Sequence, residues 1–407
     1  MSAEQTSSTT IPLTVLTGFL GSGKTTLLKR LLDNPAMAGT AVIINEFGDV
    51  GLDDRLVEKV DEDAILLPSG CVCCTVRGDL TRVLTKLFTQ HLGKEIPPIK
   101  RVVLETTGLA DPSPIAHTLM TDEDIFRIYQ LDGIVTTVDG QLGLGQLDTQ
   151  FEPAKQIAIA DRIIITKTDI AAPADIARLE ARLRALNPSA EILRVIKGDI
   201  APKHLVGLGA HEPAIAGADP IAWLGADPKP KRDTIQLSAD ESEHVCSPGC
   251  GHDHHHHAHA PHDHDHDHAA DGAAGHAPHG AAGHDCGPDC DHNHDDTGHL
   301  HGIKSFSLTF DKPLDGNALS IALQTMASAY GEKLLRVKGI VSVENQELPF
   351  VVHGVQHIFY PPDVLREWPK NADGTHDKRS RFVVIARDLD PAIIKRHLKP
   401  FLGDPIV

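Results

Sequence analysis

The sequence predicts an α/β fold, a doubly wound and mainly parallel sheet followed by a second, smaller α+β domain at the C-terminal end. Three observations carry this reading. Short β-rich apolar runs alternate with helical stretches up to Ile196. A Gly-rich turn, Gly18 to Thr25, joins the first of those runs to the first helix. Beyond a low-complexity acidic tract, the strand-like runs follow one another at hairpin-like spacing, with one helix among them and another to close.

Taken in order, Leu13 to Thr17 reads as a buried strand and Thr25 to Leu32 as the helix it feeds. Further strands are expected at Ala41 to Ile44, Lys100 to Leu104, Gly133 to Val138 and Asp161 to Ile165, with helices at Asp79 to Phe88 and Ala174 to Leu186. Continuous apolar runs this short suit strands covered on both faces. This gives a flexible tail over 1–10, a first domain over 11–197 and a Gly/Ala/Pro-rich connection over 198–232. The second domain, 233–400, opens with Asp233 to Leu237 and is interrupted by an insert at 239–301. It resumes with Ile303 to Phe310, a helix from Gly316 to Ala329, strands near Leu334 to Val343, Phe350 to Phe359 and Arg381 to Ala386, and a helix from Pro391.

The N-terminal residues lack the basic start and apolar run of a secretory signal, and nowhere do 18 apolar residues occur consecutively. Cytoplasm, with no membrane partner, is the expected location. Three of the seven Cys fall within four residues, which suits metal binding in a reducing compartment better than a disulfide framework. The net charge of -18 is local: Ala239 to His301 holds 13 Asp and Glu and no Lys or Arg. No basic patch invites nucleic acid, and an acidic surface repels it. The oligomeric state is open, a homo-oligomer included.

Gly18-Phe19-Leu20-Gly21-Ser22-Gly23-Lys24-Thr25 satisfies GxxxxGK[ST] at the strand-to-helix junction such a loop requires. Its glycines let backbone N–H groups curl around phosphates, and the helix N-terminus adds a favourable dipole. Gly18, Gly21, Ser22, Gly23, Lys24, Thr25 and Thr26 are the candidate phosphate-binding residues. Lys24 is expected at the β- and γ-phosphates and the Thr25 hydroxyl on Mg²⁺. Glu105, ending a strand, offers a second Mg²⁺ carboxylate, and Gly108 lets the backbone approach the γ-phosphate. Glu46 and Asp49, after another strand, add acidic groups at the carboxyl edge of the sheet, where ligands of such sheets bind. In Thr166-Lys167-Thr168-Asp169 the carboxylate of Asp169 can accept both N1–H and N2–H of guanine, with the Lys167 stem along the base. A solvated loop is the alternative for that short string.

Cys71, Cys73 and Cys74 share one tight loop, a soft donor set for Zn²⁺, or for Co²⁺ or Ni²⁺, with the fourth ligand left open. Between His244 and His301 lie 18 of the 26 His. Runs such as His254, His255, His256 and His257, and His264, His266 and His268 alternating with Asp, cannot build a core. With the pairs Cys246/Cys250 and Cys286/Cys290 they read as a disordered, auxiliary metal-capturing insert, or else as a solvated linker. Its metal affinity should weaken below about pH 6.5, as imidazole protonates.

With these motifs in hand, the chain resembles the CobW-like family of metal-handling P-loop GTPases. The resemblance rests on Gly18 to Thr25, Asn45 to Asp53, Cys71-Val72-Cys73-Cys74 and Glu105 to Pro112. Further along it rests on Leu335 to Gly339, His353 to His357, Tyr360-Pro361-Pro362 and Arg379-Ser380-Arg381. Thr166 stands where many GTPases carry Asn. The resemblance implies a Mg²⁺-dependent GTPase cycling between GTP and GDP, coupled to zinc delivery to a client protein or to cobalt or nickel cofactor assembly. A passive zinc buffer is the reading to set against it.

Overall fold

The structure is a computed structural model that describes residues 10–45, 65–69, 77–208, 224, 235–237, 301–371 and 374–406. Strand β1 (Ile11–Gly18) runs through the Gly-rich turn into α1 (Lys24–Leu32). There follow β2 (Thr40–Asn45), β3 (Ile65–Ser69), α2 (Arg77–Leu92), β4 (Arg101–Glu105), α3 (Ser113–Thr121) and α4 (Glu123–Ile128). Then come β5 (Tyr129–Asp139), α5 (Gly143–Thr149), α6 (Phe151–Ile159), β6 (Arg162–Thr166), α7 (Pro173–Leu186), β7 (Glu191–Val195) and β8 (Ile235–Leu237). The strands form one sheet in the order β3-β2-β4-β1-β5-β6-β7-β8, parallel throughout.

The apolar runs are continuous because both faces of this sheet are covered. Along β4, Val102 and Leu104 enter a core with Leu84, Leu119, Ile157 and Leu183 of the helices on one side. Val103 between them faces the other way, into a core with Leu27, Leu28 and Leu31 of α1. Each such side chain, removed fully from water, contributes about 1.5–3 kcal/mol. Because every strand is parallel, the carboxyl ends of β1, β2, β4, β5 and β6 meet at one edge, where the strand-to-helix loops turn.

One segment pairs differently from the sequence reading. Ile235–Leu237, expected to open the second domain, hydrogen-bonds to β7 as the outermost strand of the first sheet.

The second sheet is antiparallel. It comprises β9 (Ile303–Phe310), β10 (Leu334–Val341), β11 (Phe350–Val355), β12 (Ile358–Phe359), β13 (Asp363–Val364) and β14 (Ser380–Arg387). Their order is β12-β11-β10-β14-β9, with β13 beside β11. The run expected as one strand from Phe350 to Phe359 is two, because Gln356 turns the chain at φ 53°. Helices α8 (Gly316–Tyr330) and α9 (Pro391–Leu402) pack together on one face, over Leu308, Val337 and Val384. Asp315 caps α8 by accepting from the Ala318 N–H, an arrangement typically worth about 0.5–2 kcal/mol.

The other face meets the first sheet's helices: Ile303, Leu335, Val355 and Ile385 join the core that holds Ile157 and Leu183. Covered on both sides, β10 is buried along its whole length. This joint also holds charge. Arg336 and Lys338, two apart and so on one face of β10, both reach Asp161, the lysine at 3.6 Å. The second oxygen of Asp161 accepts the Ile134 N–H at 3.0 Å. His353, opposite Lys338 in register, stacks on Tyr360 with ring centroids 3.7 Å apart, and burial pushes the Tyr360 hydroxyl pKa up. The strings around Leu335, Val355 and Tyr360 thus meet at the seam against the first sheet's helices, whereas Arg379 and Arg381 pair with Asp377 of their own domain.

Candidate functional site

The Gly-rich turn closes through left-handed backbone at Gly21 and Gly23, φ 72° and 90°, which any side chain would strain. Gly18, at φ 141°, is excluded from substitution by contact as well: a Cβ there would lie 2.3 Å from the Thr137 Oγ1. Ser22 and Thr137 share a 2.6 Å hydrogen bond between their hydroxyls, pinning the turn to β5. Lys24, 9% exposed, donates its ammonium to the carbonyls of Gly18 at 2.9 Å and Phe19 at 3.2 Å. Its charge therefore sits within the loop where it would neutralise a phosphate.

Thr25 donates its hydroxyl to Glu105 Oε1 at 2.6 Å, although 80 residues separate them in the chain. The registers explain the meeting: Glu105 pairs with Leu16 of β1 on one side and with Ile44 of β2 on the other. The carboxylate is buried at 4% exposure. A hydroxyl and a carboxylate this close are hard oxygen donors of the kind Mg²⁺ takes, so the residues present fit that ion. Thr26 is exposed on the first turn of α1.

Gly108 lies against the P-loop, where a Cβ would come within 2.7 Å of the Leu20 nitrogen. At the end of β4, Thr106 donates its hydroxyl to that of Thr17 at 2.8 Å, and its N–H to the Leu16 carbonyl. At the end of β6, Thr166 is buried and donates its hydroxyl to the Ser22 carbonyl at 2.7 Å. It thereby ties the Thr166–Asp169 loop to the phosphate loop. Lys167 adopts φ 54°, rare for a residue with a side chain, and its ammonium meets the buried Asp139 at 2.6 Å. Asp139 is held in turn by the N–H groups of Gln141 and Leu142. Asp169 is exposed at the rim. The loop after β7 completes that side, with Gly198 (φ 76°) packed against the Thr26 carbonyl.

Gly18, Gly21, Ser22, Gly23, Lys24, Thr25, Glu105, Gly108, Lys167 and Asp169 thus gather at one edge of the sheet. Glu46, Asp49, Cys71, Cys73 and Cys74 lie outside the described residues, as do Cys246, Cys250, His254, His255, His256, His257, His264, His266, His268, Cys286 and Cys290. The backbone before the Cys loop is described: Ser69, ending β3, pairs with Asn45 of β2, two strands from β4. At about 4.8 Å per strand, β3 and β4 run roughly 10 Å apart. Among the described residues there is no cluster of three or more His, Cys, Asp or Glu that could hold a metal, and no helix long and apolar enough to cross a membrane. Thr137, Asp139 and Gln156, which brace these loops, were not legible as site residues: each sits inside a strand or helix with no spacing signal of its own.

Comparison with known proteins adds an independent view. Residues 12–194 match the CobW/HypB/UreG nucleotide-binding domain, and residues 303–402 match the cobalamin synthesis protein cobW C-terminal domain. The chain is 40% identical over 190 residues to the zinc chaperone YjiA of Escherichia coli, covering 47% of this chain and 59% of that one. It is 35% identical over 198 residues to the zinc-regulated GTPase metalloprotein activator 1 of Schizosaccharomyces pombe, covering 46% of each. Against the zinc chaperone CobW of Pseudomonas aeruginosa it is 31% identical over 234 residues, covering 49% and 60%. The chain therefore spans only about half the length of these curated relatives. The crystal structure of Zn(II)-bound YjiA GTPase from E. coli superposes with a TM-score of 0.61 at 24% identity, over 97% of this chain and 99% of that one. That likeness shows the shared fold.

Proposed function

Because the chain belongs to the CobW/HypB/UreG family of P-loop proteins and carries the CobW C-terminal domain, we propose that it binds and hydrolyses GTP and uses the cycle to deliver zinc to a client protein. The observation that carries the nucleotide part is the 2.6 Å contact between Thr25 and Glu105. It sets a hydroxyl and a carboxylate beside a loop that holds the Lys24 ammonium on its own carbonyls. In this reading Thr25 and Glu105 hold Mg²⁺, which neutralises charge on the β- and γ-phosphates when bound. Lys24 turns from the Gly18 and Phe19 carbonyls to the phosphates. The backbone N–H groups of Gly21, Ser22 and Gly23 line the cradle, and Gly108 faces the γ-phosphate. Glu46 and Asp49 supply further acidic groups for orienting water or Mg²⁺.

The metal part rests on the Cys71-Val72-Cys73-Cys74 string and on relatives named as zinc chaperones. Zinc is cargo here, held by the thiolates of Cys71, Cys73 and Cys74 and gathered by the His-rich insert. The cytoplasm is the setting this reading requires, because the thiols must stay reduced.

Base choice is assigned to Asp169, with Lys167 positioned by Asp139. Wild-type protein is expected to bind GTP at least about 10²-fold more tightly than ATP, since a site built on paired hydrogen bonds rejects a base that leaves them unmade. Asp169→Asn reverses part of the donor–acceptor pattern, so it should lose GTP affinity and shift preference toward XTP. Competition binding with the three nucleotides measures both effects. Equal affinity of wild-type protein for ATP and GTP would sink the guanine assignment.

A further inference from the structure

The loop after β4 is gripped from α6. Gln156, 1% exposed, donates its Nε2 hydrogens to the carbonyls of Gly108 at 3.3 Å and Ala110 at 2.9 Å. Its neighbour Lys155 pairs with Asp111 at 2.5 Å, and Asp111 also accepts the Ser113 N–H. Two successive residues of one helix thus fix both ends of a four-residue loop. That loop presses on the phosphate cradle, because Gly108 leaves no room for even a Cβ beside the Leu20 backbone. Gln156 has spare capacity as well. Its Oε1 is buried and accepts no hydrogen bond among the described residues. A buried acceptor left unmade costs about 1–3 kcal/mol, which a backbone N–H turned toward it would recover. One amide can therefore hold two loop positions, as donor to carbonyls in the first and as acceptor from an N–H in the second.

We propose that Gln156 is a positioning residue for nucleotide hydrolysis, setting the path of the Gly108–Asp111 loop against the P-loop. The inference rests on the GTPase reading and deepens it: Gln156 touches no substrate, and acts by placing the Gly108 backbone where the γ-phosphate is held.

The test uses full-length protein with Gln156→Met, which keeps the length of the side chain and removes its amide, and Gln156→Glu, which keeps its shape. Steady-state kcat and KM for GTP, GDP affinity by calorimetry and the thermal midpoint are measured for each. Gln156→Met is expected to lower kcat about 10- to 100-fold, the scale of a roughly 1 Å misplacement. GDP affinity should stay within about threefold, because the cradle contacts persist. In Gln156→Glu only the protonated carboxyl can donate to a carbonyl. Burial beside two carbonyl oxygens favours that form and raises its pKa. Its kcat relative to wild type should therefore be high at acid pH and fall as pH rises through that raised value, while Gln156→Met shows no such recovery. Retention of wild-type kcat by Gln156→Met would overturn the proposal. So would parallel losses of kcat, GDP affinity and thermal midpoint, which mark a merely structural role. Failure of the wild-type protein itself to turn over GTP would instead overturn the GTPase reading.

Discussion

Lys24→Ala is expected to lower affinity for a GTP analogue by about 10²- to 10⁴-fold and to abolish measurable turnover, leaving the C-terminal domain folded. Hydrogen bonds to charged groups are worth about 1.5–3 kcal/mol each, and the ammonium has two phosphates to serve. The side chain starts close to where it is needed, with its ammonium against the Gly18 and Phe19 carbonyls and within reach of the space the turn encloses. The core of α8, α9 and the second sheet contains no residue of the phosphate loop, so its unfolding transition should not move. Calorimetric titration gives the affinity, and denaturant unfolding checks the fold. Near-native affinity with intact turnover would defeat the assignment of the loop.

The second large effect concerns metal. In protein lacking Ser247 to His299, so that the His-rich insert cannot mask the result, replacement of Cys71, Cys73 and Cys74 by Ser should weaken the tight zinc site by more than about 100-fold. Removing even an outer hydrogen-bond partner of a ligand costs about 10–100-fold, and a hydroxyl is a poor neutral-pH substitute for a thiolate. Nucleotide affinity should persist, because the cradle from Gly18 to Thr25 and its braces at Thr137 and Thr166 use no sulfur. Chelator competition measures zinc, and turnover followed across a free-zinc titration reads the control lost with it. Unchanged tight binding in the Ser protein would make the cysteines structural and move the transfer site elsewhere.

How much of this was legible in the sequence varies with the physical signal. The strand-turn-helix of the phosphate loop was, since glycines at that spacing answer a backbone need that the left-handed Gly21 and Gly23 display. So were β9, predicted to its ends, and α1, missed by one residue. Short helices such as Ser113–Thr121 and Phe151–Ile159 were not legible, because nine residues span too few turns to set a helical period apart from a short apolar run. Ile235–Leu237 could not be assigned to a sheet from three residues; pairing with β7 decides it. Among the site residues, Glu105 announced itself as an acid ending a strand. The hydroxyl of Thr166, reaching the Ser22 carbonyl across 144 residues, could not be inferred without the fold. Gln156 is silent for the same reason: a buried amide inside an apolar helix gains meaning only from the two carbonyls it holds.

The central claim, that nucleotide state governs metal handling, is a statement about coupling free energy. The strand order puts β3, which leads into the cysteine loop, beside β2 and next but one to the strand that ends at Glu105. The most direct test is chelator competition for zinc on the full chain in nucleotide-free, GDP-bound and GTP-analogue-bound forms. Coupling of the usual size, about 1–3 kcal/mol, should separate at least two of these zinc affinities by roughly 5- to 150-fold, and zinc should shift the corresponding nucleotide affinity by the same factor. Equal zinc affinity in all three forms would contradict the account.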